Sequence, residues 1–317
     1  MTALLLTALG LAGLIIGGEL LVRGAVSAAK GFNISPMVIG LTLVGFGTST
    51  PELVTSLQAA LNGASGIAIG NVVGSNIGNV LLILGLAAVM APIAVAPAAL
   101  RRDGSVVALA TVLCLAVVLM GTVGRVAGSG FLLALAAYLS FTLISERRAT
   151  HSAAAEIYER EAEAVPGPDH GLGLSIMLAL CGLGLTLLGA RALVSGAVTL
   201  AQMVGLSEAV IGLTIVAIGT SMPELVTSVI AVRRGQGDVA LGNVLGSNIF
   251  NILGILGITA LVQPMQVPSQ IAGFDIWVMA LATALLIVMA RTGWRIGRRE
   301  GGVMLACYAA YLGWLLL

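Results

Sequence analysis

The stretch GTSTPELVTS, Gly47–Ser56, returns as GTSMPELVTS, Gly219–Ser228, with one residue changed. The offset is 172 positions, and it holds well beyond these ten residues. Laid over 209–257 without a gap, residues 37–85 match at 30 of 49 positions. Pro92 then falls on Pro264, and GAVS at Gly24 falls on GAVT at Gly196. Repeats of this kind have to be found before any span is counted. The chain reads as two copies, 1–145 and 173–317, joined by a connector at 146–172.

Composition places both copies in lipid. Of 317 residues, 58% are hydrophobic and 9% are charged. Mean hydropathy is +1.08. A soluble domain carries about 25% charged residues, and so much apolar surface cannot be hidden inside a water-soluble globule. With a net charge of +1 and no basic tract, nothing suggests nucleic-acid binding. Cys114, Cys181 and Cys307 stand apart in apolar runs without metal-ligand spacing, as small packing residues do. His151 and His170 fall in the polar connector. The opening MTALLLTALGLAGLIIGG has no basic leader and no clear cleavage site, so it reads as a retained membrane helix.

At about 20 residues per crossing, spans are expected near 2–24, 36–61, 66–91, 104–122 and 126–145. Their counterparts fall near 174–196, 208–232, 238–262, 270–291 and 301–317. Five spans per half force the second half to enter from the opposite side. The expected fold is therefore an all-α membrane protein of ten transmembrane helices in two inverted five-helix repeats, an arrangement typical of secondary transporters. With the N-terminus outside, 13 of the 15 basic residues fall inside, leaving only Arg125 and Arg191 outside. That is a strong positive-inside signal. The connector is polar, too short for a folded regulatory domain, and expected in the cytoplasm as a tether.

Within this apolar frame, Glu52 and Glu224 sit at equivalent depths in spans two and seven. A carboxylate there costs roughly 2.5–3.5 kcal/mol on insertion scales, so it faces a partner or an aqueous cavity. Each follows a proline, Pro51 or Pro223, which deletes a backbone donor and clashes with the carbonyl four residues earlier. Those carbonyls belong to Gly47 and Gly219. An unwound turn would leave carbonyls free to bind a cation. Thr48, Ser49, Thr220 and Ser221 add hydroxyls.

The next span supplies GNVVGSNIGN, Gly70–Asn79, and its copy GNVLGSNIFN, Gly242–Asn251. Ser75 and Asn79, like Ser247 and Asn251, are four apart and share a helix face. The set is all oxygen, with no thiolate or imidazole, which suits hard cations such as Ca²⁺. Two carboxylates balance one Ca²⁺ or two Na⁺. Glu19 and Arg23, four apart near the inner end of span one, read as a local ion pair. Arg191 and Glu208 read as residues of the outer interface, and Asn62, Asn71 and Asn243 receive no role.

With its paired GTSxPE and GSNxxN motifs, the chain resembles the cation/calcium exchanger superfamily, specifically its Na⁺/Ca²⁺ exchanger branch. The α-repeats of that family match Gly47–Asn79 and Gly219–Asn251. The resemblance implies that Glu52 and Glu224 coordinate Ca²⁺ and share the Na⁺ sites. It implies carbonyl and hydroxyl oxygens from Thr48 and Thr220, and Na⁺ sites lined by Ser49, Ser75, Ser221 and Ser247. Gly45 and Ala217 would lend backbone carbonyls, and Asn79 and Asn251 would hold the central position. Some relatives carry an aspartate at one of these last two places, an acid associated with potassium-dependent members. Its absence here argues against potassium cotransport.

The expected function is Na⁺/Ca²⁺ antiport by alternating access, with Ca²⁺ and Na⁺ as cargo, the lipid bilayer as surroundings and no cofactor. Spans one and six, long and glycine-rich, are the expected gating pair. The alternative is H⁺/Ca²⁺ exchange or another monovalent/divalent cation antiport, since dehydrated glutamates can carry protons. A channel would need a continuous pore. No HExxH motif or convincing nucleophile–base pair points to an enzyme. Size points to a prokaryotic inner membrane.

Overall fold

The computed structural model describes residues 2–31, 45–148, 171–233, 235 and 237–316. Of the connector 146–172, residues 149–170, with His151 and His170, lie outside the described residues, as does the beginning of the expected second span. The rest is mostly helical. In chain order the helices are α1 (Thr2–Gly31), α2 (Gly45–Thr48), α3 (Thr50–Leu61), α4 (Ser65–Met90), α5 (Pro97–Leu119) and α6 (Arg125–Arg148). They continue as α7 (Leu172–Val204), α8 (Glu208–Thr220), α9 (Met222–Arg233), α10 (Gly237–Val262), α11 (Ile271–Arg291) and α12 (Arg298–Leu316).

Seven of these helices are long and apolar enough to cross a membrane, and the bent pair α8–α9 raises the number to eight. The sequence leads one to expect ten. The difference has two sources. The second span is described only from Gly45. The tenth, α12, opens on Arg298, Arg299 and Glu300, so a 19-residue helix begins with three charges. The chain is a multi-pass membrane protein, and large apolar side chains such as Leu109, Leu133 and Leu281 stand exposed on its outer surface.

α4 and α10 form the interior, with 83% of the apolar window buried in each. Both change to π-helical winding at register-equivalent places, Asn79–Leu84 and Phe250–Leu256. π-Turns inside α-helices gather at functional sites. α1 and α7 pack along one another, backbone to backbone. A Cβ on Gly13 would stand 3.1 Å from Gly189 Cα, and one on Gly182 would stand 2.3 Å from Leu21 N. Small residues permit such helix approach where lipid supplies no hydrophobic drive.

Four two-residue strands, unforeseen in an all-α reading, tie the halves together. β1 (Ile93–Ala94) pairs antiparallel with β4 (Arg295–Ile296), and β2 (Thr122–Val123) with β3 (Met265–Gln266). Each pairing crosses from one copy to the other. Two contacts join a residue to its own counterpart. Thr111 and Thr283 hydroxyls meet at 3.3 Å, and Asn248 Nδ2 donates to Asn76 O at 3.4 Å. Both pairs are 172 apart, and only residues beside an exchange axis can meet their own copies.

Candidate functional site

The helix breaks fall where the prolines require them. α2 ends at Thr48 and α3 starts at Thr50, leaving Ser49 between them at φ −87° and ψ 9°. In the second copy Ser221 takes φ −82° and ψ 9°, and the two helix axes bend by 46°. The break is tighter than the sequence suggests. Ser221 N–H donates to Ala217 O at 3.1 Å, so the carbonyl expected to be free is engaged within the chain. Pro51 and Pro223 have no N–H to offer Gly47 O and Gly219 O. Gly45 opens α2 at the equivalent of Ala217.

Both motif glycines lie under the same helix. Val22 of α1 presses on Gly47 and Leu11 of α1 on Gly219, each with a side-chain carbon less than 2.5 Å from where a Cβ would stand. Any larger residue at 47 or 219 would have to displace these side chains.

The two glutamates are buried, each 1% exposed. They are held crosswise. Ser49 Oγ donates to Glu224 Oε1 at 3.0 Å, and Ser221 Oγ donates to Glu52 Oε1 at 3.0 Å. Each copy of the motif thus supplies hydroxyls to the carboxylate of the other. Ser247 Oγ reaches Glu224 Oε1 at 3.5 Å, the far limit of a hydrogen bond.

Several buried polar atoms around these pairs have no hydrogen-bond partner among the described residues. They are Glu52 Oε2, Glu224 Oε2, Ser75 Oγ, Asn79 Oδ1, and both Oδ1 and Nδ2 of Asn251. Buried polar groups left without a partner cost about 1–3 kcal/mol each, more when charged. Carboxylate, amide and hydroxyl oxygens without protein donors are the donor set of a hard cation. The amide pair is not symmetric: Asn79 Nδ2 donates to Asn248 Oδ1 at 3.0 Å, whereas Asn251 has no partner among the described residues.

Two asparagines given no role by the sequence reading do the positioning. Asn71 Nδ2 donates to Glu52 O at 3.2 Å and to Ser56 Oγ at 2.9 Å. Asn243 Nδ2 donates to Glu224 O at 3.3 Å and to Ser228 Oγ at 3.1 Å. Each pins a glutamate-bearing helix to the helix after it. Asn71 Oδ1 also accepts from Thr220 Oγ1 at 3.0 Å, joining the two copies. The signal was present in the sequence as the duplicated GN pair that opens each second motif. The Arg23–Glu19 ion pair forms as expected, on an exposed face away from this cluster.

Known proteins share this architecture. The sodium/calcium exchanger protein family matches residues 2–144 and 174–317. The sodium/calcium exchanger MaX1 of Methanosarcina acetivorans is 36% identical over 354 residues, covering 97% of each chain. The inner membrane protein YrbG of Escherichia coli is 36% identical over 318 residues, covering 99% of this chain and 97% of its own. Among solved structures, the sodium-calcium exchanger NCX_Mj soaked with 10 mM Na⁺ and 10 mM Sr²⁺ superposes with a TM-score of 0.67 at 32% identity, covering 98% of both chains. With both copies matched and nearly full-length relatives at this identity, the chain belongs to the sodium/calcium exchanger family.

Proposed function

We propose that this protein is a secondary antiporter that exchanges Na⁺ for Ca²⁺ by alternating access. The crossed pairs Ser49–Glu224 and Ser221–Glu52, with an unpartnered carboxylate oxygen on each glutamate, carry this reading. The cation takes those oxygens together with Thr48, Thr220, Ser75, Ser247, Asn79 and Asn251. Gly45 and Ala217 contribute backbone oxygens, Ala217 once its bond to Ser221 N–H opens. A charge of −2 is balanced by one Ca²⁺ or by two Na⁺, so the two loads exclude each other. The names of MaX1 and NCX_Mj favour Na⁺ as the driving ion.

The architecture belonging to this reading is ten spans in two inverted five-helix halves, 1–145 and 173–317, with 146–172 as a cytoplasmic linker and the N-terminus outside. The cross-copy strand pairs and the Thr111–Thr283 contact support it. α1 and α7 are the moving pair, since their glycine seam lets two long helices act as one body and α1 covers both motif breaks. The membrane is a prokaryotic inner membrane, the place named for the relative YrbG.

Radiolabelled Ca²⁺ uptake into proteoliposomes, driven in turn by Na⁺, K⁺ and H⁺ gradients, tests the proposal. Uptake under an outward Na⁺ gradient alone is expected. Uptake driven by a pH gradient without Na⁺ would make the protein a proton-coupled exchanger instead.

A further inference from the structure

The two copies of the second motif part company at one position that matters for volume. GSNIGN has Gly78 where GSNIFN has Phe250. In α10 the Phe250 ring folds over Gly254, whose would-be Cβ would stand 2.5 Å from two ring carbons. In α4 the register equivalents are Gly78 and Leu82, so bulk and gap are exchanged along the π-turn. Leucine does not fill what the ring fills. A Cβ on Gly78 would meet nothing nearer than Tyr308 Oη at 3.8 Å.

A cavity of about 20 Å³ remains there, bounded by Gly74, Gly78, Leu82, Ala217, Ser221 and Tyr308. Space for one water begins at roughly 10–15 Å³ on this measure. Tyr308, on α12, is 5% exposed and lines this space. A phenol hydroxyl at such a place calls for a hydrogen-bond partner. The register equivalent of Tyr308 is Ala136, so the first copy offers no such group to the other flank.

We propose that the cavity holds one water that accepts from Tyr308 Oη–H and donates to Ser221 Oγ. Ser221 passes its own hydrogen to Glu52 Oε1. The chain of three hydrogen bonds makes Tyr308 a positioning residue for the Ser221–Glu52 flank of the cation site. The opposite flank, Ser49–Glu224, has Phe250 and Ala136 at the equivalent places, neither of which carries a hydroxyl to hold such a water. The two halves of the site then hold cations unequally, although their motifs are nearly identical. This inference rests on the exchange site proposed above.

A double-mutant cycle tests it in proteoliposomes, reading the half-saturating concentration of whichever cation drives wild-type Ca²⁺ uptake. Tyr308→Phe is expected to raise that concentration about three- to tenfold, the range of one net hydrogen bond. It should add nothing in a Ser221→Ala background and its full effect in a Ser49→Ala background. Gly78→Ala, which places a methyl in the water's space without a clash, should behave like Tyr308→Phe. Wild-type behaviour of both Tyr308→Phe and Gly78→Ala would overturn the proposal. So would a full effect of Tyr308→Phe on top of Ser221→Ala, and that result would assign Tyr308 to packing. A wild-type protein that ignores Na⁺ would count against Na⁺ coupling only, because the cycle is read with the ion that works.

Discussion

Ser221 donates to Glu52 across the boundary between the two copies, and Ser49 returns the same bond to Glu224 at the same 3.0 Å. Neither half of the chain can complete its own carboxylate shell. The duplicated motif becomes a site only when its copies interlock. Charge-assisted bonds of this kind are about twice as strong as neutral ones, and here they orient two buried acids, each with one carboxylate oxygen left without a partner among the described residues.

Removing either acid should abolish most transport. Glu52→Gln or Glu224→Gln takes away half of the site's negative charge and leaves an amide where a cation should bind. Loss of a buried, charged ligand of this kind is worth at least about 2 kcal/mol, or roughly thirtyfold in Ca²⁺ affinity. Uptake at sub-saturating Ca²⁺, normalised to protein incorporated, measures it. Wild-type uptake in either variant would remove the site assignment.

Asn71 and Asn243 should act on stability before affinity. Asn71→Ala leaves Glu52 O and Ser56 Oγ without their donor, and Asn243→Ala does the same to Glu224 O and Ser228 Oγ. Each loss should cost about 1–3 kcal/mol. Thermal unfolding in detergent should show both variants shifted down. The Asn71 variant should be shifted further, because Asn71 also accepts from Thr220 of the other copy.

The seam between α1 and α7 gives a paired steric test. Gly182→Leu would drive a side chain into Leu21 N, 2.3 Å from its Cβ, whereas a Cβ on Gly184 meets nothing within 4 Å. Gly182→Leu should lose transport or fail to accumulate in the membrane. Gly184→Leu, two residues along the same helix, should match the wild type in both. Equal behaviour of the two variants would dissolve the seam.

Orientation is open to thiol labelling. In a background with Cys114, Cys181 and Cys307 replaced by serine, Arg125→Cys should react with an impermeant reagent added outside intact cells. Arg295→Cys, on β4, should react only in inverted vesicles. The same side for both would contradict the inverted arrangement, because positive-inside counting places these residues on opposite faces.

Much of this molecule could be read before any coordinates existed. The offset of 172 positions, the glutamates behind their prolines and the paired GSN elements are linear facts, and hydropathy translates them directly into depth in a membrane. The helix breaks at Ser49 and Ser221 follow from proline's missing N–H, a covalent property that needs no neighbours. Tertiary structure decided what depends on distance between segments far apart in the chain. It gave Ser49 to Glu224 rather than to Glu52, engaged Ala217 O with Ser221 N–H, and turned the overlooked Asn71 and Asn243 into struts. It also left a water-sized space between Gly78 and Tyr308. A repeat in sequence states that two segments are alike. Only packing determines which atoms of one copy meet which atoms of the other, because hydrogen bonds are made at about 3 Å and register alone does not measure that.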